Sequence, residues 1–155
     1  MIDATLAAFL EEGIAIHLGT RNERLEPNGV RATAVKVEDD GTHVIVYVAG
    51  VASPYVMADL EANGEVAVVF ARPVDDRACQ VKGRVVDVRP AGEQERALVA
   101  RQWDGFQQQL ERIGISRTIM SGWTIWPSIA VRVRATALFE QTPRPGTGGP
   151  LVPQP

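Results

Sequence analysis

Apolar residues along this 155-residue chain switch between two periods, and the switches mark its elements. Ile2, Leu6, Phe9 and Leu10 recur at three- and four-residue spacing, which predicts an amphipathic helix stopped by Gly13. Residues 14–18 read as a first strand and 30–37 as a second. Between them lies a polar connection, 22–29, whose Pro27-Asn28-Gly29 reads as a turn. Glu38-Asp39-Asp40-Gly41 closes a hairpin onto 44–49, a strand apolar on both faces and therefore expected in a barrel or between layers. Ser53-Pro54 pairs an N-cap with a first-turn proline, so a helix runs from there through Met57 and Leu60 to the C-cap pair Asn63-Gly64.

Residues 66–71 form a fourth strand and 77–88 a fifth, in which Gly83 signals a bulge or a close approach. The longest helix is expected over 91–113. Val99, Trp103, Phe106, Leu110 and Ile113 make one stripe, with Glu, Gln and Arg opposite. Residues 115–122 are a short helix or a loop, and 129–139 a last strand alternating Ile129, Val131 and Val133 with Arg132 and Arg134. Consecutive strands joined by tight turns favour antiparallel pairing, so the expected class is an α+β antiparallel barrel of six strands with flanking helices. It fills one domain, 1–142. Residues 143–155 are rich in Pro and Gly and read as a C-terminal tail.

Composition removes several classes. A net charge of −3 and no cationic run argue against nucleic acid as a partner. No apolar stretch approaches the ~20 residues of a membrane span, and the acidic N-terminus lacks a signal peptide's basic region, so a cytoplasmic location is expected. Cys79 is the only cysteine and sits in an alternating apolar segment, as a buried small hydrophobe would. His17 and His43 have no second ligand at metal-binding spacing, and no nucleophile elbow or phosphate-cradling glycine loop is present. Chemistry, if any, is expected to come from a cofactor.

Arg31-Ala32-Thr33-Ala34-Val35-Lys36 is the segment with the most candidate chemistry: a β-branched strand with a cation at each end. Strict alternation would send Arg31 and Lys36 to opposite faces. The small residues between them leave the backbone open to a flat ligand.

This strand, the helix end Leu60-Glu61-Ala62-Asn63-Gly64, and Arg77-Ala78-Cys79-Gln80-Val81-Lys82-Gly83 resemble the pyridoxamine 5'-phosphate oxidase-like superfamily, as do Trp126-Pro127 and Phe139-Glu140-Gln141-Thr142-Pro143. The resemblance covers roughly residues 9–142. It implies a split β-barrel that binds FMN at a homodimer interface and acts as a flavin-dependent oxidoreductase on a small molecule. Its cofactor contacts would fall on Arg31, Ala32, Thr33, Ala34, Lys36, Ser53, Gln80 and Trp126. The chain departs from the family pattern at Ser53-Pro54-Tyr55, where cations usually follow the serine, and at Ala78, where a flavin-contacting glutamine usually stands. A non-catalytic binding module on the same barrel, or an enzyme using deazaflavin or haem, are the other readings the resemblance allows.

Overall fold

The computed structural model describes residues 1–50 and 54–151. Helix α1 (Ala4–Leu10) precedes β1 (Ala15–Arg21), β2 (Pro27–Val37) and β3 (His43–Ala49). Helix α2 (Pro54–Ala62) leads into β4 (Glu65–Ala71) and β5 (Ala78–Pro90), and α3 (Arg96–Arg112) into β6 (Ser128–Glu140). The strands pair antiparallel in the closed order β1-β2-β3-β6-β5-β4. The expected α+β six-stranded antiparallel barrel is the one that forms. No helix among the described residues is long and apolar enough to cross a membrane.

Alternate residues fill the barrel: Ile16 and Leu18 from β1, Val46 from β3, Val68 from β4, Val81 from β5 and Val131 from β6 are all buried in one cluster. The doubly apolar β3 has its explanation here. Val44, Val46 and Val48 face the interior, while Ile45 and Tyr47 face outward into a second cluster with Ala34, Ala130 and Val99 of α3. Helix α3 thus covers the outer face of β2, β3 and β6. Gly83 marks a close approach of β5 to β6, since a Cβ there would run into the Arg134 carbonyl oxygen.

The hairpin between β1 and β2 differs from expectation. Asn28 and Gly29 lie inside β2, paired with Thr20 and Gly19. The turn falls earlier because the Asn22 side chain accepts from the Arg24 and Glu26 amides, with Leu25 at a φ of 64°. Asn28 instead donates to the buried Asp59 carboxylate, which also takes the Thr20 hydroxyl.

A second difference lies in β2 itself. The register with β3 shifts between Ala32 and Ala34, so Thr33 is an extra, bulged residue. Val30, Ala32, Val35 and Val37 all pack on the interior cluster, which resets the alternation. Arg31 and Lys36 therefore both leave the outer face, not opposite faces.

The long helix begins later than expected, after a 3-10 turn at Glu93–Glu95. Val99, Trp103 and Phe106 are buried, but Ile113 is exposed, and Gln102 and Gln109 from the expected polar side are buried too. Strand β2 outruns β1 beyond the Ile16–Ala32 pair, leaving its edge without a strand partner. Side chains cap that edge. Gln102 accepts from the Val35 N–H (2.9 Å) and donates to the Val35 carbonyl (2.7 Å), and Glu11 accepts from Val37 N–H (2.6 Å).

The start of α3 is held by one carboxylate. Glu95 receives two bonds from Arg89 (both 2.8 Å), one from the Tyr47 hydroxyl (2.7 Å) and one from the Gly92 amide (2.7 Å). Those bonds, Arg89's first, pull its pKa from 4.5 down to about 2, against the opposing effect of burial. A depressed carboxyl contributes stability that is complete above its unfolded value and lost as pH falls through the folded one. The melting temperature is therefore expected to drop between pH 4.5 and about 2. Glu95→Gln should flatten that part of the profile, measured by thermal melts across pH.

Past β6 the chain turns through residues 143–149 and lays Leu151 against β6, its amide donating to the Leu138 carbonyl at 2.9 Å.

Candidate functional site

Four outward residues form a row across the sheet: Arg31 of β2, His17 of β1, Val69 of β4 and Gln80 of β5 are successive cross-strand neighbours. The Arg31 guanidinium lies over two rings, with its carbon 5.0 Å from the Phe106 centroid and 5.3 Å from that of Trp123. Trp123 in turn stacks on Trp103 at 5.9 Å, so the stripe of α3 ends as an aromatic shelf beneath a cation. Arg31 Nη1 is buried and finds no hydrogen-bond partner among the described residues. Ring faces attract a cation but accept no directed N–H bond as strong as an anion's. A buried, unpartnered guanidinium N–H is costly unless something else supplies the acceptor. Burial, and next the charge of Arg31, hold the His17 imidazole below its usual range.

Arg31, His17 and Gln80 line one groove of about 290 Å³. It adjoins a larger groove of about 580 Å³ running over Gly19 and Ala67 toward Lys82, Arg84 and Thr136. Among the described residues Glu65 is the only carboxylate lining either, and Arg21 (2.7 Å) and Arg84 (3.4 Å) hold it. Lys82 makes no ion pair among the described residues and sits 4.9 Å from the Phe139 ring centroid.

The other expected contacts lie elsewhere. Lys36 is exposed roughly 15 Å along β2 from Arg31, in a shallow depression with Glu38, Asp39, Asp40 and Arg132. Ala32 points into the barrel, the Thr33 hydroxyl donates to the Tyr47 carbonyl, and Ala34 is covered by α3. The Val35 peptide groups are taken by Gln102. Trp126 packs on the cluster beneath α3, with Arg96 5.8 Å above its ring. Ser53 lies outside the described residues. The fold thus brings Arg31 and Gln80 together, and places Lys36 and Trp126 apart from them.

Sequence reasoning had no role for His17, Lys82, Gly19 or Gly29 at this site. Only the strand register makes them neighbours. The fold also brings Glu38, Asp40 and His43 together at the β2–β3 turn. Arg132 already holds Glu38 at 2.7 Å, and Asp40 accepts from His43 at 2.6 Å and from two backbone amides. That arrangement is a charge-paired turn. Cys79 is buried, which pushes its thiol up to about 12 and leaves it unreactive.

No family model matches the chain. No curated protein matches it either. Solved structures do. HupZ of Group A Streptococcus superposes with a TM-score of 0.59 at 11% identity, over 96% of this chain and 99% of that one. An F420 reductase gives 0.57 at 19% identity over 84% and 93%. An FMN-binding protein from Syntrophomonas wolfei gives 0.51 at 12% identity over 95% and 88%. This is the pyridoxamine 5'-phosphate oxidase-like fold. At these identities the likeness shows the split-barrel fold alone.

Proposed function

We propose that this split barrel binds a flavin-type cofactor, FMN in the first instance, and serves as a flavin-dependent oxidoreductase on a small molecule. The observation that carries the proposal is the Arg31 guanidinium, held on the Phe106 and Trp123 rings with a buried nitrogen that has no acceptor among the described residues. A phosphate oxygen would supply that acceptor, and the bond would be charge-assisted. Solved proteins of the same fold include one named as FMN-binding and one as an F420 reductase, which supports a flavin over other anions. The cofactor would bring the redox chemistry; the chain's part is to bind it, orient it and exclude water. The outer face at Ala34 is occupied by α3, so the isoalloxazine ring would lie on another surface near Arg31. A homodimer belongs to the same reading. Ile113, Ile119 and Trp123, exposed through the end of α3 and the segment after it, support a contact with a second copy.

Titration of wild type, Arg31→Ala and Lys36→Ala with FMN and with riboflavin, read by flavin fluorescence, tests this. One charge-assisted bond at about 1.5–3 kcal/mol corresponds to roughly a ten- to hundredfold affinity change. Arg31→Ala should weaken FMN by that factor and riboflavin far less, since riboflavin carries no phosphate. Lys36→Ala, remote from Arg31, should have the smaller effect. Absence of saturable FMN binding by wild type up to about 1 mM, a free energy near −4 kcal/mol, would sink the flavin reading.

A further inference from the structure

We propose that the edge of β6 from Thr136 to Glu140 is a strand-docking site, which residues 148–151 occupy in cis as a seal. Without the seal, the site takes the same edge of a second copy. Strand β3 pairs with β6 only as far as Arg134, and the Thr42 carbonyl receives the next amide, that of Ala135. Beyond that level β5 still flanks β6 as far as Glu140, but among the described residues no strand of the barrel reaches the other edge. The segment left there, Ala135-Thr136-Ala137-Leu138-Phe139, carries no charge. Nothing in it opposes antiparallel pairing with its own copy.

The chain closes this edge itself. The Gly148 N–H donates to the Glu140 carbonyl (2.8 Å), the Glu140 N–H to the Gly149 carbonyl (3.0 Å), and the Leu151 N–H to the Leu138 carbonyl (2.9 Å). Pro150 sits between these bonds, opposite Phe139. By antiparallel alternation its nitrogen faces away from β6, where a proline has no N–H to offer. The arm thus satisfies the β6 edge and turns a position without a donor outward, which ends a sheet rather than extends it. Its seat is set locally. Gly148 holds a φ of 96°, open to glycine at little cost, and its neighbour Thr147 accepts from the Arg144 amide (3.1 Å). The Thr142 hydroxyl, accepting from the Ala78 amide (3.0 Å), ties the base of the turn to β5. None of residues 143–151 is buried, so the arm brings backbone bonds and almost no core. A segment held in that way opens on its own, at a lower free energy than the barrel.

Amide hydrogen exchange and sedimentation of the full chain and of its Gly148→Pro variant test the proposal. Proline there removes the Gly148 donor and forbids the φ of 96°, and a Cβ at that position meets nothing within 4 Å. In wild type the Glu140 and Leu151 amides should exchange together, and faster than those of Val81 and Val133 in the barrel. In the dilute variant, Glu140 protection should fall by about tenfold or more while Val81 and Val133 keep theirs. On concentration the variant should form a species larger than wild type, and Glu140 should regain protection as it forms. Unchanged Glu140 protection in the dilute variant overturns the seal. An equal loss at Val81 and Val133 also overturns it, since the arm would then belong to the barrel's own cooperative unit. A variant that stays at the wild-type size, or associates with Glu140 still unprotected, overturns the docking site. If the variant fails to fold, wild-type exchange decides: Glu140 opening ahead of the barrel upholds the proposal, and opening only with global unfolding overturns it.

Discussion

Replacing Gln102 by Leu is expected to cost about 2–5 kcal/mol, because it strips partners from two buried backbone groups at once, each worth about 1–3 kcal/mol when left unsatisfied. Gln102 is only 2% exposed, and its carboxamide is the partner of both the Val35 N–H and the Val35 carbonyl. Leu fits the space and restores neither bond. Strand β1 has ended at that level and cannot close over the edge, and water has no access to it. For a domain of this size the loss corresponds to a melting temperature lower by roughly 4–20 °C. Chemical denaturation of the two proteins measures it. A difference below about 1 kcal/mol would mean that the β2 edge finds other partners and that α3 is not what closes the barrel there.

Those two bonds also show what the sequence hid. The strands of the barrel were legible wherever a local pattern carried them: the double apolar face of 44–49, the alternation of 129–139, and the Val99-Trp103-Phe106 stripe all correspond to buried side chains. Gln102 and Gln109 were not legible, because a glutamine on the polar side of a helix looks solvated until a distant strand edge needs it. Thr33 was not legible either. A bulge is a mismatch between two strands, and nothing in one strand's residues announces it, yet it decides that Arg31 and Lys36 share a face. Asn28-Gly29 misled for the complementary reason. It is the stronger turn signal in isolation, but the Asn22 side chain closes the turn first, and Asn28 is drawn to Asp59. Of the candidate site, Arg31 was visible as a cation beside small residues. Its neighbours His17, Gln80 and Lys82 come from three other segments and meet it only through register.

The aromatic shelf under Arg31 couples stability to the site, and Phe106→Ala should reveal both. Phe106 is 4% exposed and packs at 5.5 Å, tilted 48°, on Trp103, with the Arg31 guanidinium carbon 5.0 Å from its ring centroid. Truncation leaves a cavity that the rigid α3 and β1 cannot fill, a loss of about 3–5 kcal/mol. The same change removes one of the two rings that position the guanidinium. Phe106→Leu separates the effects: it keeps most of the buried volume, at about 1–1.5 kcal/mol, but has no ring face for Arg31. Denaturant titration should therefore rank Ala well below Leu. FMN affinity, measured where each variant is fully folded, should fall in both, because the cation has lost the same support. An Ala loss below about 1 kcal/mol would show that the stripe is not packed as described. Undiminished FMN affinity in the Leu variant would show that Trp123 alone suffices to hold Arg31 in place.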